Sequence, residues 1–260
     1  MTRTYLNFSL VSVLLIGLAG CRTEIGPSVQ EVSVAAAADL KFALDEISRE
    51  FENQHKDVRI QITYGSSGNF YSQLANQAPF DVFLSADVEY PRKLSQQGFT
   101  LDDSDFTYAV GRIVVWVPAR SPINVEKLRM NALQEPNVNH IAIANPQHAP
   151  YGRAAEAAMR SLSVYELVKQ KLVFGENVAQ TLQFVQSGNA AIGIVALSLA
   201  LSPTVREQGR YWEVPLDSYP RSEQGGVILK WAKNVDAARV FRAFLTSPEG
   251  RSILKKYGFS

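Results

Sequence analysis

Short apolar runs alternate along the chain with stretches whose apolar residues recur every three or four positions. Val32, Val34 and the alanines after them read as a buried strand; Leu40, Ala43, Leu44, Ile47 and Phe51 mark one face of a helix. Val58, Ile60, Ile62 and Tyr64 alternate as a second strand, with a helix over 70–76, a buried strand over 81–85 and a helix over 88–97 closed by Gly98. The long apolar strand 111–117 carries the chain into a second series. There the pattern predicts a helix over 125–130, a strand over 140–144, helices over 151–162, 165–172 and 178–186, and a strand over 191–195. Residues 211–214 lead out again, 225–229 form a strand, and helices over 235–245 and 248–257 close the chain. Strands and helices taking turns imply parallel α/β layers. Two strand passages divide the chain into lobes, 32–111 with 222–260 and 112–221, with a hinge and a central ligand cleft between them.

The first twenty residues stand apart from this pattern. Arg3 precedes an apolar stretch from Leu10 to Ala19, followed by Gly20 and Cys21. Charge, length and small closing residues fit an export signal, and the stretch is short for a membrane span. Cys21 is the only cysteine, so an internal disulfide is excluded. Leu18-Ala19-Gly20-Cys21 looks like a bacterial lipobox, which makes Cys21 the lipidated mature N-terminus and 21–31 a polar tether. The alternative is an ordinary signal with an incidental cysteine.

The 260 residues are 46% hydrophobic and 20% charged, ordinary globular values. The net charge is +1 and Arg3 is the only charge among residues 1–20, so the remainder is neutral. Without a basic field or a basic run, a nucleic-acid partner is excluded.

Four strand-to-helix junctions look alike: Ala36-Ala37-Ala38-Asp39, Gly65-Ser66-Ser67-Gly68, the run from Asn145 to Gly152, and Gly175-Glu176-Asn177-Val178. The first two fall in one lobe and the last two in the other. A helix start leaves N–H groups unpaired and carries partial positive charge. Small residues let a ligand reach that backbone, and hydroxyls add donors that rotate to suit. Several such starts facing one cleft would hold an anion without a formal countercharge. Taken singly, each junction is equally a capped helix start.

Catalytic patterns are weak. Gly65-Ser66-Ser67-Gly68-Asn69 is not G-x-S-x-G, and His55, His140 and His148 lack metal-ligand spacing. His148 as a base for Ser67 leaves a serine hydrolase as a distant alternative. Asp81 and Asp87 flank a strand end and read as caps or lobe contacts.

The segments "VAAAADLKFALDEI", "YGSSGNFYSQL", "DVFLSAD", "ANPQHAPYGRAAEAAM", "GENVAQTLQFVQSGNAAIGIVA" and "SPEGRSILKKYGF" together resemble the molybdate-binding subunit of bacterial ABC importers. The resemblance covers nearly all of 32–259. It implies a class II periplasmic-binding-protein fold that closes like a flytrap and delivers molybdate or tungstate to a membrane permease. It implies no catalytic residue and no cofactor, and a monomer is expected.

Carried over by motif, Ser67 falls at the family's ligand serine, Tyr151 at a position offering its N–H and hydroxyl, and Val178 at a ligand N–H. Ser66 and Ala38 adjoin these positions. Asp39 stands where the family usually has Ser or Asn, and Ala196 where many relatives have an oxyanion-binding Tyr. Tyr151 could supply the hydroxyl that Ala196 lacks. A carboxylate about 4 Å from a dianion at an effective dielectric of ~20 is opposed by roughly 8 kcal/mol. The expectation for Asp39 is therefore a cap on its own helix, turned toward the N–H of Lys41 or Phe42, with only its backbone at the ligand. A protonated Asp39 donating to the ligand is the other reading. An acceptor at this position also leaves phosphate or arsenate open, since their O–H needs one; sulfate is a third tetrahedral rival.

Overall fold

A computed structural model describes residues 1–2 and 29–260. The export segment and Cys21 lie outside the described residues. Among the described residues, ten strands form two five-stranded sheets. The first contains β1 (Gln30–Ala37), β2 (Val58–Gly65), β3 (Val82–Ser85), β4 (Phe106–Gly111) and β10 (Ser222–Ile228), in the order β2-β1-β3-β10-β4. The second contains β5 (Ile113–Pro118), β6 (Ile141–Ala144), β7 (Leu172–Gly175), β8 (Ile192–Ala196) and β9 (Gly209–Glu213), in the order β7-β6-β8-β5-β9. In each sheet the strands around the first βα unit run parallel, while the strand next to the crossing runs antiparallel.

Helices flank both sheets: α1 (Lys41–Gln54), α2 (Ser67–Ala75), α3 (Glu89–Gln96), α4 (Val125–Leu128), α5 (Pro150–Ser161), α6 (Tyr165–Val168), α7 (Val178–Gln186), α8 (Leu197–Ala200), α9 (Val235–Thr246) and α10 (Pro248–Lys256). The lobe 1 core sets Leu44, Ile47 and Phe51 of α1 against Phe241 and Leu245 of α9. That of lobe 2 packs Trp116, Ile143 and Ile194 with Ala155 and Val185.

The chain crosses between sheets twice. β4 ends at Gly111 and β5 begins at Ile113; the return runs from β9 to β10 through a short 3-10 turn at Leu216–Ser218. Arg112 and Glu213 form an ion pair beside the first crossing, and Val214 N–H donates to the Ile113 carbonyl (3.1 Å).

The strand registers fix where the helix starts fall. Ala37 of β1 pairs with Gly65 of β2, and Ala144 of β6 with Gly175 of β7. Adjacent parallel strands that end level must launch their helices side by side. Each lobe therefore presents two neighbouring helix starts at the carboxyl edge of its sheet, where ligand sites of open α/β sheets lie.

Candidate ligand-binding site

The four starts meet across a small cavity lined by Ala37, Ala38 and Asp39, Gly65, Ser66 and Ser67, Ala86, Ala149, Pro150 and Tyr151, and Asn177 and Val178. Among the described residues, no lysine, arginine or histidine lines it. The volume is ≈ 10 Å³, room for about one water molecule. A larger groove, ≈ 720 Å³, lies along α10 and the C-terminus. No helix start faces it, so the small cavity is the better candidate.

Free donors converge on that cavity. Asn177 caps α7 by accepting from Ala179 N–H (2.9 Å) and Gln180 N–H (3.0 Å), which leaves Val178 N–H at the first helical position without an acceptor among the described residues. Pro150, with no N–H, opens α5, and Tyr151 N–H behind it is likewise unpaired. Ser67 N–H opens α2 in the same way. Ser67 Oγ accepts from Ala86 N–H (3.0 Å), so its own O–H is free to donate. Ser66 differs: its N–H and hydroxyl both donate to Glu176 Oε1 (3.3 and 3.0 Å). Ala38 lines the cavity and Ala196 does not; Ala196 sits at the end of β8, paired with Ile113.

Asp39 does not cap its helix. Neither the 3-10 turn Ala38–Leu40 nor α1 has a side-chain cap. Its Oδ2 instead accepts from Tyr151 hydroxyl across the cleft (2.9 Å) and from Gln224 Nε2 of β10 (2.6 Å). The capping expectation fails because two buried side-chain donors from remote parts of the chain engage the carboxyl instead. The same contacts engage the Tyr151 hydroxyl that was expected to stand in for a residue at Ala196. Asp39 is fully buried, and its Oδ1 has no hydrogen-bond partner among the described residues. Burial pushes its pKa up to about 6, against the pull of Gln224, Tyr151 and the nearby amides of Asp39 and Leu40, neither of which reaches good hydrogen-bond geometry. Burial, together with the adjacent carboxylate, holds the Tyr151 phenol well above its usual range.

Other contacts tie the lobes. Glu176 Oε1 also accepts from Asn69 Nδ2 (2.8 Å), which sets a lobe 2 carboxylate on the start of α2. Gly68 N–H donates to the His148 carbonyl (2.8 Å). Arg153 bonds Asp87 Oδ2 (2.5 Å) and the Tyr90 hydroxyl (3.1 Å). Ser198 hydroxyl donates to the Asp39 carbonyl (2.7 Å). His148 Nε2 lies 3.1 Å from the Glu176 carbonyl, so His148 and Ser67 do not form a base–nucleophile pair. Asp87 Oδ1 accepts from Glu89 N–H (3.0 Å) at the start of α3, and Asp81 ties backbone at Ser33 and Lys233 (both 2.7 Å). No cluster of three metal-ligating side chains occurs among the described residues. Gln224 and the role of Glu176 escape sequence reasoning, since both depend on which remote strand or helix start lies opposite.

A family model for bacterial extracellular solute-binding proteins matches residues 32–260. The chain belongs to that family. Within this solute-binding family it is 38% identical to the molybdate-binding protein of Rhodobacter capsulatus, over 95% of this chain and 92% of the relative. It is 39% identical to that of Azotobacter vinelandii, over 96% of each. The solved periplasmic molybdate-binding protein of Azotobacter vinelandii superposes with a TM-score of 0.82 at 32% identity, covering 88% of this chain and 98% of that one. The two-lobed class II fold is therefore shared with proteins of this kind.

Proposed function

We propose that this solute-binding protein captures molybdate or tungstate between its lobes, outside the cytoplasm, and hands it to the membrane permease of an ABC importer. The observation that carries the reading is the convergence of Ser67, Tyr151 and Val178 N–H groups and the Ser67 hydroxyl on one cavity with no cationic side chain. Such a site suits a compact anion held by oriented dipoles. The names of the relatives support molybdate as that anion. An ion of four oxygens needs more room than one water, so the lobes close around it less tightly than in this structure; that closure desolvates the ion and strengthens each bond. Ser67, Tyr151 and Val178 are the ligand residues, Ala38 and Asp39 contribute through backbone and carboxyl, and Cys21 carries a lipid that keeps the protein at the membrane. The protein acts as a monomer and performs no reaction.

The Asp39 acceptor favours a second reading, a protonated oxyanion such as hydrogen phosphate or arsenate. Calorimetric titration of the purified protein with molybdate, tungstate, sulfate and phosphate separates the two. Heat with molybdate and tungstate alone is expected; heat with phosphate and none with molybdate rejects the first reading.

A further inference from the structure

We infer that the closed complex holds one proton more than the free protein and its dianionic ligand bring separately, shared between Asp39 Oδ1 and a ligand oxygen. The inference rests on the oxyanion reading above. Asp39 lines the cavity, is 1% exposed, and has one carboxyl oxygen without a partner among the described residues. The other oxygen is already engaged by Tyr151 and Gln224. An ionised carboxyl in this place would set a negative charge against the arriving anion inside a water-excluded cleft. A proton drawn from solvent removes that charge. It also gives Oδ1 a partner, because O–H donates to the ligand oxygen and the acceptor facing the anion becomes a donor.

No neighbouring group offsets the charge in another way. From α5, Asp39 meets the Tyr151 hydroxyl, and from β10 the Gln224 amide. From β4 it faces Tyr108, whose hydroxyl donates to the Ser85 carbonyl (2.9 Å), and from α8 the Ser198 hydroxyl. Helix α7, packed against the same turn, has no ionisable side chain. On its own segment Lys41 lies over the Tyr64 ring, 5.1 Å from its centroid, and Asp45 accepts from the Tyr64 hydroxyl (2.6 Å). The raised pKa of Asp39 places it close to taking up the proton even before ligand arrives. Whether the proton is counted on the carboxyl or on the ligand, it belongs to the pair.

Titration of molybdate at several values between pH 6.5 and 8.5, in buffers of different ionisation enthalpy, tests this. The expected result is uptake of close to one proton per ligand at the upper end and a Kd that rises about tenfold per pH unit there. Asp39→Asn, which keeps the acceptor for Tyr151 and Gln224 and supplies an N–H in place of the proton, is expected to bind without uptake or slope, and more tightly than the parent at pH 8.5. Binding by the parent protein that ignores pH and takes up no proton overturns the inference and leaves the oxyanion reading standing. Absence of molybdate binding at every pH overturns both. The proton count of the parent decides the matter even if the variant fails to fold.

Discussion

Ser67 and Val178 offer donors of different kind to the same cavity, and substitution separates them. Ser67→Ala removes the hydroxyl that Ala86 N–H orients. A hydrogen bond to a charged group contributes about 1.5–3 kcal/mol, so calorimetry is expected to show molybdate affinity reduced by roughly one to two orders of magnitude. Val178→Pro removes an N–H at a helix position that proline accepts readily. Asn177 before it is already extended, at φ −141° and ψ 176°, as a residue preceding proline should be. The variant is expected to lose a comparable share of affinity with its unfolding temperature unchanged to within a few degrees. A Tyr151 variant would be ambiguous, because its hydroxyl serves Asp39 while its N–H faces the cavity.

Helix starts are built here by different means, and their costs differ. Asn177→Ala deletes the only side-chain cap of α7 and is expected to destabilise the protein by about 1 kcal/mol, read as a lower midpoint in urea. Two of the contacts between the lobes involve carboxylates at element ends and differ in worth. Arg153–Asp87 is an ion pair with side chains 40% and 27% exposed, a class worth about 0–1 kcal/mol. Glu176 accepts from Ser66 N–H, Ser66 hydroxyl and Asn69 at a helix N-terminus. Glu176→Ala is therefore expected to speed release of bound molybdate in stopped flow more than Asp87→Ala does. Most elements were legible from apolar spacing. β4 was not, because Phe106–Gly111 runs into Ile113 with no turn residue beyond Gly111 itself, and the crossing looks like one strand. β7 lies at a sheet edge with only Gly175 fully buried, so Leu172–Gly175 shows no buried run, and the predicted helix over 165–172 runs onto its first residue. At the site, Ser67, Tyr151 and Val178 are placed by local junctions that a sequence displays. The bond from Gln224 to Asp39 spans 185 residues and leaves no local trace.

The burial of one carboxyl at the centre of the molecule gives global stability a pH dependence. Asp39 ionises near pH 6 when folded and near 3.8 when unfolded, so the folded state holds its proton more firmly. The stabilisation is complete below pH 3.8 and is lost as pH rises through 6. The loss is at most about 3 kcal/mol for a shift of this size. Without ligand, Asp39→Asn is expected to raise the thermal midpoint at pH 7.5 and to leave it unchanged near pH 3.5; an equal gain at both would refute the linkage. The two groups that bond this carboxyl lie beside the first crossing between the sheets. A β-carbon built on Gly111, the last residue of β4, would collide with the Tyr151 hydroxyl and come within 2.6 Å of Gln224 Nε2. A side chain at this end of the first crossing would have to displace the tips of Tyr151 and Gln224. One methyl group there would press on the two side chains that steady Asp39, without touching an amide that grips the guest.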